Sequence, residues 1–246
     1  MHHIIHTRKL KKHYLVGRER VAALAGVDLE IARGEVCCII GQSGSGKSTL
    51  LNMLAGLEPP SAGHVAIAGR KISAMDEDQL ALFRQENLGF IFQSYNLLPQ
   101  LTATENVALP LSFAGIGKTQ RLEIARRELA RVGMGKRLDH LPREMSGGQQ
   151  QRVGIARAFV ARPKVVFADE PTGNLDTATT RQVLRHMLDC SEGHAITLVM
   201  VTHEPELARC GDRIITLSDG KVAENIVQDE KTRDRNRRLL FGETDD

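Results

Sequence analysis

The segment "GQSGSGKS", residues 41–48, restricts the fold of this chain more than any other feature. It lies between the apolar run "EVCCII", typical of a buried strand, and "TLLNML", which predicts a helix beginning at the lysine. Glycines in such a loop let backbone N–H groups turn inward around phosphate oxygens, and the dipole of the following helix favours the same anion. The pattern therefore favours an α/β chain that binds a nucleotide. The alternative is a glycine-rich turn without a ligand.

Two side chains of this segment and two acidic residues further along have distinct expected roles. Lys47 is expected to reach the β- and γ-phosphates, and the Ser48 hydroxyl to bind Mg²⁺. The run "VVFADE" predicts a buried strand that ends at Asp169, which would hold Mg²⁺, with Glu170 as general base for an attacking water. An acidic turn without catalysis is the alternative. The residues expected to surround the phosphates are Gly41, Gln42, Ser43, Gly44, Ser45, Gly46, Lys47, Ser48 and Thr49.

The rest of the chain indicates an α/β core with a helical insert. Residues 1–70 contain β-like runs, and the apolar strands "KVVFADE" and "AITLVMVTHE" flank a helical segment, an order typical of a parallel, doubly covered sheet. In the middle of the chain, an amphipathic helix is predicted from apolar residues at steps of three and four, namely Leu122, Ala125, Leu129 and Val132. A second helix is predicted from Ser146 to about Ala161, where Pro163 stops it.

Charge and cysteine usage narrow the range of partners. The formal net charge is only +3, from 33 basic and 30 acidic residues, and the basic residues are spread along the chain, which argues against nucleic acid as a partner. Four cysteines fit no zinc-binding spacing, and the pair Cys37–Cys38 reads as small hydrophobic residues of a buried strand. The longest apolar runs are too short to span a bilayer, so we expect any membrane role to come through a partner.

The segment "EMSGGQQQRV", residues 144–153, is a second candidate anion site. Gly147 and Gly148 would let an anion approach the backbone closely, while Ser146 would cap the helix or donate to a phosphate. A plain helix cap without a ligand is the alternative. Residues 41–48 are already expected to surround the phosphates of one nucleotide. A second phosphate-binding segment, or cradle, at residues 144–153 is therefore useful if a second copy of the chain supplies it to cover the γ-phosphate.

Together, "SGGQQQRVGIARA" and "ADEPTGNLD" after the phosphate loop closely resemble the ATP-binding-cassette (ABC) ATPase family, from about residue 3 to residue 225. The resemblance implies a P-loop NTPase core with an N-terminal antiparallel β subdomain and an inserted α-helical subdomain. It also implies a head-to-tail dimer that holds two Mg-ATP between the phosphate loop of one subunit and Ser146, Gly147, Gly148 and Gln149 of the other. Met145 replaces the leucine usual in the family.

Four further roles are carried over from the family. Gln93 matches the Q-loop glutamine, which approaches Mg²⁺ and the attacking water, and His203 matches the histidine that contacts the γ-phosphate. Asp176 matches the aspartate that communicates across the dimer, and Tyr14 matches the aromatic residue that stacks on adenine. A structural histidine at a strand end and a packing tyrosine are the alternatives for His203 and Tyr14.

The domain organisation implied by the resemblance is a single cassette over residues 1–228. Its core comprises residues 1–94 and 163–228, its helical insert residues 95–162, and a charged, loosely held tail residues 229–246. The segment "SYNLLPQLTATENV" beside Gln93 is expected either to dock a membrane subunit or to form the core of the insert.

The segments "YLVGRERVAAL", "TATENVALPL" and "DEPTGNLD" resemble the ATPases of macrolide-export, lipoprotein-release and cell-division-type systems. The resemblance implies a permease with an extracytoplasmic domain and an export or extrusion function. It also implies that this chain lies at the cytoplasmic face of the inner membrane, held there by the permease. Two alternatives stay open: a mechanical module that regulates an extracytoplasmic enzyme without moving substrate, and a soluble ABC ATPase.

Overall fold

The structure is a computed structural model that describes residues 3–242. The strands and α-helices in these residues, in chain order, are β1 His3–Val16, β2 Glu19–Ala32, β3 Val36–Ile40, α1 Lys47–Leu54, β4 Ala62–Ile67, β5 Arg70–Lys71, α2 Glu77–Asn87, β6 Leu88–Phe92, α3 Ala103–Phe113, α4 Lys118–Arg131, α5 Gly147–Phe159, β7 Val165–Asp169, α6 Thr177–Gly193, β8 Thr197–Val201, α7 Pro205–Ala208, β9 Arg213–Ser218, β10 Lys221–Val227 and α8 Glu230–Phe241.

The chain divides into two compact units. One comprises Met1–Arg84 and Thr197–Asp246, and the other Gln85–Ile196. Residues 95–162, the expected helical insert, lie within the second unit. No helix among residues 3–242 is both long and apolar enough to cross a membrane.

An antiparallel sheet forms the N-terminal part of the first unit, as the family resemblance implied. Strand β1 pairs antiparallel with β2 on one side and with β4 on the other, and β5 extends β4. The side chains of Ile5, Leu10 and Leu24 are fully buried in this sheet.

A parallel arrangement surrounds β3 in the same unit. Strand β3 pairs parallel with both β8 and β9, and β10 pairs antiparallel with β9. Cys37, Cys38 and Ile39 are completely buried in β3, as expected of a strand that is paired on both sides. All four cysteines are free and buried, and burial raises the pKa of the Cys190 thiol to about 11.

The second unit contains a parallel strand pair and a group of helices. Strands β6 and β7 run parallel, with Leu88 beside Val165 and Phe92 beside Asp169. The sequence predictions for α4 and α5 are confirmed: Ala125 and Leu129 are fully buried, and α5 begins directly after Ser146. Helix α2 and strand β6 were not predicted. The strand, "LGFIF", is short, and the helix before it carries charges around most of its surface.

The C-terminal segment differs from the loosely held tail expected from its charge. Residues 230–241 form α8, which is capped by Asp229 and contacts other residues of the first unit through specific bonds. Arg233 donates to Asp212 at 2.8 Å, and Arg237 donates to the carbonyl of Cys210 at 2.8 Å. Asp212 in turn accepts from the backbone N–H of Val36 at the start of β3. Residues 243–246 of the expected tail lie outside the described residues.

Candidate active site

The phosphate loop connects β3 to α1 in the first unit. Gly46 is the N-cap of α1 and has φ 100°, a left-handed conformation that glycine adopts without strain. A Cβ there would lie 2.5 Å from the carbonyl oxygen of Ala23, so close packing also requires glycine. Helix α1 has no side-chain cap at this end. The first backbone N–H groups of a helix have no acceptor within the helix, which suits this end of α1 to an anion.

Lys47 is held inside this loop. Its side chain is 7% exposed, and its ammonium group donates to the carbonyls of Gly41 and Gln42, each at 2.9 Å. A lysine ammonium has three donors, so these two bonds leave one for a phosphate oxygen. The buried hydroxyl of Ser45 has no hydrogen-bond partner among the described residues. Both observations fit a loop that is completed by an anionic ligand, because a buried donor without an acceptor is costly.

His203 lies at the same end of the parallel strands as the phosphate loop. Strand β8 runs parallel to β3, with Val201 beside Ile39, and Thr202 donates its backbone N–H to Ile39 at 3.1 Å. His203 follows directly and is exposed. The carboxyl ends of β3 and β8 therefore present the phosphate loop and His203 on one edge, where ligands of α/β proteins bind.

Tyr14 has a clear packing role in the antiparallel sheet. Its hydroxyl donates to Glu58 at 2.7 Å, and the Lys12 ammonium lies 5.3 Å from the centre of its ring. Lys12 also pairs with Glu58 at 3.2 Å. Partial burial and, to a lesser extent, the bond to Glu58 raise the pKa of Tyr14. The adenine-stacking role of Tyr14 stays a prediction.

The second unit brings Gln93, Asp169 and Glu170 to one end of its strand pair. Because Phe92 is aligned with Asp169, Gln93 and Glu170 each follow the end of adjacent parallel strands. A Cβ on Gly173 would lie 2.8 Å from Nε2 of Gln93 and 3.4 Å from Oε2 of Glu170, so both side chains flank this glycine. Asn174, which the sequence reasoning missed, donates to the Gln93 carbonyl at 3.2 Å.

Ser146 caps α5 as the sequence predicted. Its backbone N–H donates to Gln149 Oε1 at 3.0 Å, and its hydroxyl accepts from the Gln149 N–H at 3.4 Å, which together form a capping box. Ser146 is also exposed. The cap uses the hydroxyl as an acceptor, so its proton remains available to a ligand.

Of the two glycines after Ser146, Gly148 has a packing reason as well as the expected ligand-binding one. A Cβ on Gly147 would lie 2.7 Å from the Tyr95 hydroxyl, and one on Gly148 would lie 2.2 Å from Cγ2 of Thr179. The Thr179 side chain is fixed, because its hydroxyl donates to Asp176 at 2.6 Å. Close approach of Thr179 therefore accounts for glycine at position 148 within a single chain, whereas the atom nearest position 147 is the tip of the Tyr95 side chain, which can move aside.

Asp176 is the N-cap of α6. Its carboxylate accepts from the backbone N–H groups of Ala178 and Thr179 at 3.1 and 3.0 Å. The bond from the Thr179 hydroxyl is the main cause that lowers the pKa of Asp176. The local structure therefore gives this aspartate a capping role, and its role across a dimer stays a prediction.

The close contact between Gly148 and Thr179 predicts that alanine at position 148 destabilises the fold. We expect Gly148→Ala to lower the free energy of unfolding by about 1–3 kcal/mol, because overpacking outweighs the gain of up to about 1 kcal/mol from alanine in a helix. Urea denaturation would measure this. Adding Thr179→Ser, which removes Cγ2 and keeps the hydroxyl, should restore stability. Gly193→Ala, with open space around its Cβ, is the matched control. Equal effects at both glycines would contradict the explanation.

The profile of the family described as "ABC transporter" matches residues 24–173, more than half of the chain. The chain belongs to the ABC transporter family. Within this family it has the fold and motifs of the ATP-hydrolysing cassette, as the resemblance implied. A solved ABC transporter cassette, a dimer of MJ0796 in a post-hydrolysis state bound to ADP and phosphate, is 40% identical, covers 91% of this chain and 98% of its own, and has a TM-score of 0.84.

Curated relatives have similar identity. The macrolide export ATP-binding/permease protein MacB of Rhodopirellula baltica is 46% identical over 93% of this chain, and the chain spans 34% of that relative. The lipoprotein-releasing system ATP-binding protein LolD 1 of Rhodospirillum rubrum is 45% identical over 87% of this chain and 95% of its own length. The chain thus spans about a third of the MacB relatives it matches and nearly all of the LolD relative.

Proposed function

We propose that two copies of this chain dimerise head to tail around two Mg-ATP and that ATP-driven closure changes the conformation of a separate membrane permease. The observation that carries the proposal is the exposed, capped start of α5 at Ser146, in a chain that already has a phosphate loop around Lys47. One nucleotide does not need two phosphate-binding cradles from the same chain. In a head-to-tail dimer, each nucleotide site takes the phosphate loop of one subunit and the start of α5 of the other, so both cradles are used.

The proposed roles follow from what each side chain can donate or accept. Lys47 and the loop N–H groups bind the phosphates, and His203 contacts the γ-phosphate. Mg²⁺, when bound, neutralises the charge that develops on the phosphate oxygens, and its proposed ligands are Ser48, Gln93 and Asp169. Glu170 accepts a proton from the attacking water while the Gln93 amide orients it; both flank Gly173. Ser146 and the glycines after it bind the γ-phosphate of the other subunit.

The proposed partner is an integral-membrane permease with an extracytoplasmic domain, on whose cytoplasmic side the dimer binds, and the proposed outcome is export or extrusion. The names of the MacB and LolD relatives support this assignment.

The proposed docking segment beside Gln93 is partly exposed and partly buried. Leu98 is 43% exposed, whereas Val107 is fully buried and Asn106 is held by bonds to Leu98 at 2.8 and 3.1 Å.

A cross-linking experiment tests the permease assignment. Because all four native cysteines are buried, a Leu98→Cys chain should take a photoactivatable maleimide mainly at residue 98. In native membranes we expect this label to cross-link the chain to an integral membrane protein that is identified by mass spectrometry. Leu15→Cys, in the hairpin of the antiparallel sheet and 79% exposed, is the control. Cross-linking equally from both positions, or from neither, would contradict docking at Leu98.

A further inference from the structure

Gln151 is the third glutamine of "SGGQQQRV" and the one that the sequence reasoning left without a role. It lies one helical turn after Gly147 on α5 and is completely buried. Its Nε2 donates to the carbonyl of Pro171 at 2.6 Å. Its Oε1 is buried and has no hydrogen-bond partner among the described residues. Burying a polar amide with one unpaired end costs stability, so the presence of a glutamine at this buried position requires an explanation.

The chemistry of the contact determines which end of the amide faces Pro171. A proline has no backbone N–H, and its carbonyl oxygen only accepts hydrogen bonds. An oxygen of Gln151 at 2.6 Å from that carbonyl would repel it, so the donor must be Nε2. The side chain therefore binds α5 to the residue that directly follows Glu170.

The backbone at Glu170 is in an unusual conformation. Glu170 has φ 42°, in the left-handed region that residues other than glycine adopt only at a cost of about 1–3 kcal/mol. The turn after it is closed by the N–H of Gly173, which donates to the Glu170 carbonyl at 3.2 Å. The Gln151 bond fixes the peptide between these two points, which opposes relaxation of the turn. A relaxed turn would point the Glu170 carboxylate in another direction.

We propose that Gln151 is a positioning residue for ATP hydrolysis, which holds the Pro171 carbonyl and thereby the direction of the Glu170 carboxylate. The inference rests on the proposed role of Glu170 as general base. It also connects two parts of the site: Gln151 lies on the helix that begins with Ser146, so a displacement of α5 would be transmitted to the base through one hydrogen bond.

Gln151→Met keeps the shape of the side chain and removes the donor. We expect kcat for ATP hydrolysis by the full chain to fall at least about tenfold while KM for ATP stays within about twofold, because a small misplacement of the base slows chemistry without weakening binding. Tm should change by less than about 4 °C, since the substitution also removes an unpaired buried acceptor. Gln150→Met is the matched control, because the neighbouring Gln150 also donates to a backbone carbonyl, that of Met145 at 3.1 Å. Its kcat should stay near wild type.

A double-mutant cycle with Glu170→Gln separates positioning from general stability. If Gln151 acts through Glu170, Gln151→Met should slow single-turnover hydrolysis by less than about twofold in the Glu170→Gln chain. The same tenfold loss in both backgrounds would overturn the proposal, as would a kcat of Gln151→Met within twofold of wild type. Should the methionine variant not fold, Gln151→Glu, which presents an oxygen to Pro171, must show the same loss of kcat. Near-normal hydrolysis by Glu170→Gln alone would instead refute the base assignment, a result independent of Gln151.

Discussion

Glu170→Gln is expected to reduce ATP turnover by about 10²-fold or more while ATP binding is retained. Glutamine has the size of glutamate and cannot accept the proton of the attacking water, so the substitution removes the base and leaves the phosphate loop around Lys47 unchanged. Steady-state phosphate release gives the turnover, and equilibrium binding of a fluorescent ATP analogue gives the affinity.

Two controls identify the cause of such a loss. Glu144→Gln replaces an exposed glutamate that lies before Ser146 and whose carboxylate accepts from the Leu141 N–H, and it should leave turnover within about twofold of wild type. Thermal unfolding of both variants shows whether either is destabilised. Hydrolysis by Glu170→Gln at a near-normal rate would remove Glu170 from the role of general base.

Ser146→Arg is expected to abolish hydrolysis, by at least about 10²-fold, while the isolated chain still binds ATP. The arginine fills the start of α5 and removes the hydroxyl proposed to bind the γ-phosphate of the other subunit. The phosphate loop of the same chain lies in the other unit and is unaltered. Equilibrium ATP binding and phosphate release measure the two properties separately.

Mixing Ser146→Arg with Lys47→Ala tests the exchange of cradles directly. A mixed dimer has one site with both defects and one site with neither. A random 1:1 mixture should therefore recover roughly a quarter of the wild-type rate, since about half of its dimers are mixed. Each variant alone should stay inactive. Recovery of no activity in the mixture would contradict the proposal that a site combines the phosphate loop of one subunit with the start of α5 of the other.

Much of the fold follows from local patterns in the sequence. The phosphate loop, the strand that ends at Asp169 and the helix that begins after Ser146 all appear where they were predicted, because each depends on residues within one short segment. Strand β6 was missed, since five residues without a distinctive pattern do not identify a strand until its neighbour β7 is placed beside it.

The charged C-terminal segment shows the limit of reasoning from composition. Its charge density is typical of a solvated tail, yet Arg233 and Arg237 find partners at Asp212 and Cys210. These partners lie more than twenty residues earlier in the chain, and α8 has no buried residue of its own. Hydrogen bonds to remote groups, rather than an apolar face, therefore hold this helix.

The sequence by itself determined the family and the places of the phosphate loop, the strand that ends at Asp169 and the helix after Ser146, because each depends on residue types at short, fixed spacings. Only the tertiary structure decided why Gly148 must be glycine and what Gln151 does. Those answers depend on Thr179 and Pro171, which are brought close by packing across sequence separations of 31 and 20 residues. No local pattern encodes such a contact, since it forms only when the chain folds.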